Sequence, residues 1–195
     1  FDFFIIFTYF WRNLTKFLIF SSISRKYFIN LRFLRVLKLD NNYLTELYLT
    51  NNFNGTSDLE VLTISNNLIR NINQEMPESK LIEIDFSNNN ISHFYPSKFL
   101  PFSENLKILL GNNALESLDF KLIDEDSVSE NQTLTIDVGD SPMKCNCETS
   151  NFYQFLHKKL FLNNETYKRI KVIPEDVKCI QASDNSTVSV AKMNP

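Results

Sequence analysis

Apolar residues recur along the middle of this chain in one repeated phrase. Leu34, Leu37, Leu39 and Leu44 in LRVLKLDNNYL keep the same intervals as Leu59, Leu62, Ile64 and Ile69 in LEVLTISNNLI, and as Leu81, Ile84, Phe86 and Ile91 in LIEIDFSNNNI. A fourth copy, NLKILLGNNAL, runs from Asn105 to Leu115. There Asn105 takes the first apolar slot and Leu106 falls one place late, as a one-residue slip would produce. The copies begin at residues 34, 59, 81 and 105, so they lie 22 to 25 residues apart. About the middle of each copy apolar and polar positions alternate, the period-two signature of a short strand with one face in a core and one face outward. One such strand per repeat predicts stacked turns of a solenoid, each burying its apolar face against its neighbours.

Asn42, Asn67, Asn89 and Asn113 hold one slot, where the chain leaves the strand and turns. A buried amide there can bond the open backbone groups of neighbouring turns, each of which would otherwise cost about 1–3 kcal/mol. With this ladder the phrase fits the pattern L-x-x-L-x-L-x-x-N-x-L, and the chain resembles leucine-rich-repeat proteins. The resemblance implies an α/β fold: a curved leucine-rich-repeat solenoid with a parallel sheet on its concave face. Phe53 and Phe99 follow their turns at similar distances and are expected to stack in an aromatic spine on the convex side. Phe28 and Leu31 fit the tail of a preceding repeat, whose strand would take Leu14, Phe17 and Ile19, with Ser22 in the asparagine slot. The opening stretch FDFFIIFTYFW is too short for a membrane span and lacks the basic start and small-residue cleavage site of a signal peptide. Residues 1–27 are therefore set apart as a degenerate repeat or translated non-coding sequence, 28–141 as the repeats and 142–195 as a C-terminal cap.

That cap is read from LTIDVGDSPMKCNC, in which Ile136, Val138 and Ser141 take the last strand and turn slots before Pro142, Cys145 and Cys147; Cys179 follows. Pro142, Cys145, Cys147, Phe152 and Phe155-Leu156 match the pattern N-P-x-x-C-x-C, then F-x-x-x-L, that ends extracellular leucine-rich blocks. Ser141 departs from its Asn. With Tyr167, Lys168 and Arg169 ahead of Cys179, the segment resembles the cysteine-rich cap of insect Toll and Toll-related receptors. The resemblance implies that Cys145 pairs with Cys179, that Cys147 pairs with a fourth cysteine the chain lacks, and that Cys147 is unpaired here. It also implies a membrane-anchored single-pass parent on the extracellular side of the plasma membrane. The implied partner is a protein of the cystine-knot cytokine type, like Spätzle, or a microbial pattern. A cap of this kind answers a physical need, because a solenoid otherwise ends on an exposed apolar cross-section.

Composition narrows the rest. The formal net charge is −3, so no basic surplus favours nucleic acid, and three glycines cannot build a phosphate-cradling loop. Two histidines, His93 and His157, do not stand at zinc-ligand spacing with the cysteines, and no Ser-His-Asp set is recognisable. Asp124, Glu125 and Asp126 lack the alternation and glycine of a calcium loop and read as a solvated turn. No catalytic, cofactor or metal site is expected. Sequons at Asn13, Asn54, Asn90, Asn131, Asn164 and Asn185 are glycosylation candidates and fit a secreted chain.

These observations favour an extracellular binding module. A leucine-rich adhesion or matrix protein is the alternative, and an intracellular leucine-rich scaffold, disfavoured by the C-x-C cap, is a further one. The ligand face is expected among the outward strand positions. Glu60, Glu83 and Asp85 make its middle acidic, with Lys38 and Lys107 toward its ends, so that a basic partner would be steered onto it.

Overall fold

In a computed structural model of the chain, described here for residues 13–14, 21–24, 27–28, 31–100, 105–120, 123, 129–139, 143–144, 152–157, 169–174, 177–181, 183 and 185–190, one seven-stranded parallel sheet organises the fold. Its strands, in spatial order, are β1 (Asn13–Leu14), β2 (Val36–Lys38), β4 (Val61–Thr63), β6 (Glu83–Asp85), β8 (Asn105–Leu109), β10 (Thr133–Asp137) and β12 (Ile170–Ile173). Spatial order follows chain order, as a solenoid requires. Leu37, Leu62, Ile84, Ile108, Ile136 and Val172 stand in one register across the sheet. All six are buried, as are Leu39, Ile64, Phe86, Leu110 and Val138 in the next column. The fold is a leucine-rich-repeat solenoid.

Past the turn, a third apolar column (Leu44, Ile69, Ile91, Leu115) leads into short parallel pairs on the flank. These are β3 (Glu46–Tyr48) with β5 (Asn71–Asn73), and β7 (His93–Phe94) with β9 (Ser117–Leu118). Helices are few among the described residues: α1 (Leu49–Phe53), a 3-10 turn at Pro96–Phe99 and the helical residues 152–157. The return segments are thus mostly extended or irregular, and the α/β expectation holds only weakly on its helical side.

The asparagines bridge successive turns. Asn67 accepts the Leu44 N–H at 3.1 Å and donates to the carbonyls of Leu39, Ile64 and Ser65 at 2.9, 3.0 and 3.1 Å. Asn89 accepts from Ile69 N–H and donates to Ile64 and Phe86 carbonyls; Asn113 accepts from Ile91 N–H and donates to Phe86 and Leu110 carbonyls. Asn42, at the start, donates to Leu39 and Asp40. The asparagine before each of these has its own task. Asn41, Asn66, Asn88 and Asn112 all adopt φ between 53° and 56°, a left-handed turn that Asn tolerates better than other L residues. The NN doublet therefore encodes a turn former followed by a bridge.

Three sequence expectations shift. The fourth repeat has no register slip: Ile84 still faces Ile108, and β8 instead starts early, so that Leu106 is buried by simple alternation with Ile108 and Leu110. Upstream, Leu14 rather than Phe17 faces Leu37, because β1 pairs Asn13–Leu14 with Val36–Leu37. The convex spine is not continuous in aromatics. Phe53 stacks on Phe28 at 6.0 Å, and Phe99 on Phe94 at 5.4 Å, in separate clusters; Met76, between them in the chain, is buried and its N–H donates to the Lys98 carbonyl at 2.7 Å.

Toward the C-terminal end, Phe120 stacks on Phe155 with centroids 3.9 Å apart and on Phe152 at 5.7 Å, which packs helical residues 152–157 against the segment that follows β9. Nearby, β11 (Met143–Lys144) runs parallel to β13 (Lys178–Ile180), which pairs antiparallel with β14 (Thr187–Ser189).

Candidate ligand-binding face

Side chains alternate across each strand, so the buried columns fix what the other face displays. Two outward columns cross the sheet. One reads Val36, Val61, Glu83, Lys107, Thr135, Lys171; the other, two residues further along each strand, reads Lys38, Thr63, Asp85, Leu109, Asp137, Ile173. The N-terminal half is therefore largely apolar and neutral, and the C-terminal half is charged.

The acidic candidates do not act alike. Glu60 accepts both Nε and a terminal nitrogen of Arg35, each at 2.7 Å, a bidentate pair that cancels its charge locally. Glu83 stands in register with Lys107, whose side chain is exposed. Asp85 turns Oδ1 to the Ser87 N–H at 2.8 Å. Lys38 is exposed at the N-terminal part of the same column. Two aspartates outside the expected patch are equally well fixed. Asp40 accepts Thr63 Oγ1 at 2.5 Å, and Ser65 N–H and Oγ at 2.8 and 2.9 Å, which commits both its oxygens. Asp137 accepts the Gly139 N–H at 3.0 Å, the same construction as Asp85 two strands earlier. Asp137, Lys171 and Ile173 were not singled out from the sequence. The signal was present in the alternating buried and outward positions of Ile170–Ile173, but the cap motif drew that segment into a different unit.

No family model matches the chain. Mouse podocan is 34% identical over 89 residues, a match covering 44% of this chain and 14% of podocan. Among solved structures, the Toll–Spätzle complex, described as a molecular hub in Drosophila development and innate immunity, aligns with 88% of this chain and 30% of its own at 18% identity and a TM-score of 0.45. The chain thus spans about a seventh of podocan and less than a third of the aligned Toll–Spätzle chain.

On the flank, Glu116 binds the Lys144 ammonium, which holds its carboxyl below the usual 4.5, with a smaller push in the same direction from His93. Lys98 donates to the Ile72 carbonyl at 2.5 Å and lies 5.0 Å from the Tyr95 ring centre; burial lowers its pKa. Both contacts tie one turn to the next.

Of the glycosylation candidates, Asn54, Asn90, Asn131 and Asn185 are exposed, and none lies on a strand of the main sheet. Asn13 opens β1, its side chain beyond the described part, and Asn164 is outside the described residues. Cys179 is buried and disulfide-bonded. Cys145, Cys147 and the acidic run Asp124, Glu125 and Asp126 lie outside the described residues, as does the other half of that bridge. Among the described residues no group of His, Cys, Asp and Glu gathers in a metal-holding arrangement, and no helix is long and apolar enough to cross a membrane.

Proposed function

We propose that the chain is part of the extracellular ligand-binding region of a Toll-like signalling receptor, and that it takes a protein ligand of the cystine-knot cytokine type or a microbial pattern on the outward face of its sheet. The observation that carries this reading is the sheet itself. Its inward columns are wholly spent on the core, and its outward columns present a broad, fixed array of side chains bare of the four exposed sequon asparagines. The disulfide at Cys179 favours an oxidising compartment over a cytosolic scaffold. The cap-like motif around Pro142, Cys145 and Cys147, with the Cys145–Cys179 pairing it implies, supports a receptor type. A matrix or adhesion protein is the second reading, favoured by the identity with podocan.

A glycan wedge tests the reading. Val61→Asn places a sequon ahead of Leu62 and Thr63, in the middle of the outward face. The secreted chain, wild type and variant, is assayed for binding to purified cystine-knot cytokines and to peptidoglycan fragments. The expected result is an endoglycosidase-sensitive, disulfide-bonded wild type that binds one of these, with binding lost in the variant and restored by removing its glycan. A reduced, unglycosylated native protein, or binding indifferent to the wedge, overturns it.

A further inference from the structure

We propose that the C-terminal half of the sheet face docks a basic amphipathic helix of a protein partner, laid across the strands. The proposal rests on the sheet face being the binding surface and assigns its C-terminal half to a helical segment, distinct from the ligand tested at Val61. Its basis is the column Asp85, Leu109, Asp137, Ile173, which is held in one register over four successive strands and alternates acid with apolar. Ile173 is 42% exposed, a large apolar side chain left in water. The two aspartates are built alike: each accepts, at Oδ1, the backbone N–H two residues on, from Ser87 or Gly139. That bond fixes the carboxylate's direction without cancelling its charge, unlike the ion pair that occupies Glu60.

Spacing selects the partner. Neighbouring strands lie about 4.8 Å apart, so the two acids are about 10 Å apart with Leu109 halfway between them. An extended peptide crossing the strands repeats its same-side residues at about 6.8 Å and falls out of step. An α-helix rises about 10.5 Å over seven residues and about 5–6 Å over four, matching the acid–apolar–acid interval. The fitting helix carries Lys or Arg at positions i and i+7, with Leu at i+4 and i+11. Its basic stems cover Leu109 and Ile173 while their heads reach Asp85 and Asp137. Lys107 and Lys171, exposed in the neighbouring column, favour acidic residues along one flank of that helix and so fix its orientation.

The test uses the whole 195-residue chain and a fluorescent, lactam-stapled peptide with Lys at i and i+7, Leu at i+4 and i+11, and Glu along one flank. Fluorescence anisotropy reads its binding to wild type and to the double variant Asp85→Asn, Asp137→Asn. An amide oxygen still accepts the Ser87 and Gly139 N–H groups, so the fold is retained, with circular dichroism as the check. The expected result is that the double variant binds about tenfold more weakly and loses the salt dependence seen with wild type. Equal binding of a scrambled peptide of the same composition overturns the proposal, as does unchanged binding to the double variant. Preferential binding of a Glu-for-Lys peptide or of heparin also overturns it and assigns the face to an anionic partner through Lys107 and Lys171. If these peptides fail while the glycan at position 61 still blocks a ligand, the helix is wrong and the sheet-face reading stands.

Discussion

Removing the Asn67 side chain is expected to destabilise the solenoid by about 2–4 kcal/mol. Asn67 is 5% exposed and joins two turns. In Asn67→Ala the Leu44 N–H loses its acceptor, and a buried amide left without one costs about 1–3 kcal/mol. The carbonyls fare better, because Leu39 keeps the Asn42 donor and Ile64 keeps Asn89, so the lost donations add only about 1 kcal/mol. Asn67→Asp sharpens the argument. It keeps an oxygen for Leu44 but turns a carboxylate toward three carbonyl oxygens. The folded state then favours the neutral acid, and its pKa rises above the unfolded value near 4. A raised carboxyl pKa leaves stability intact below about pH 4 and removes it as pH climbs through the folded pKa. The aspartate variant should therefore lie closer to wild type at pH 4 than at pH 7, whereas the alanine variant's deficit should not change with pH. Urea unfolding followed by circular dichroism at both pH values measures this. A loss under 0.5 kcal/mol in the alanine variant, or an aspartate variant no worse at pH 7 than at pH 4, would refute the bridging account.

Three further outcomes follow from the packing and the charges. Gly139→Ala should cost about 1–2 kcal/mol in the same unfolding assay, since φ is +61° and the new Cβ would stand 3.0 Å from the Gly111 Cα; Gly111→Ala, whose Cβ would stand 3.9 Å from the Gly139 Cα, in ordinary contact, should cost less. Phe99→Ala should cost about 3–5 kcal/mol, because Phe99 packs against both Phe86 and Phe94, and a loss below 1 kcal/mol would mean the convex column contributes little. In a carboxyl-detected NMR titration, Lys144→Met should raise the Glu116 pKa toward 4.5; since the wild-type value is depressed, the pair's contribution is present above the unfolded pKa and fades as pH falls through the folded one.

The sequence by itself determined the repeat and its inward columns. Leu37, Leu62 and Ile84 could be assigned to one sheet from spacing alone, because a period-two strand recurring every 22–25 residues has few other ways to bury its apolar side. The asparagine slot was legible for the same reason, since a polar residue repeated inside an apolar phrase must meet backbone. Other features are not local. Whether Leu106 means a slip or a longer strand depends on what its neighbours offer, and β10, with Leu134 facing Leu106, decides for the longer strand. That the rings form separate clusters, Phe28 with Phe53 and Phe94 with Phe99, is visible only once the turns are stacked. The binding face shows the difference most clearly. Glu60, Glu83 and Asp85 are equivalent as letters, yet Arg35 sits 25 residues from Glu60 in the chain and beside it in space, which leaves one acid neutralised and another free to act. Charge in a solenoid is set between turns, at contacts about one repeat apart, and only the tertiary structure places those contacts.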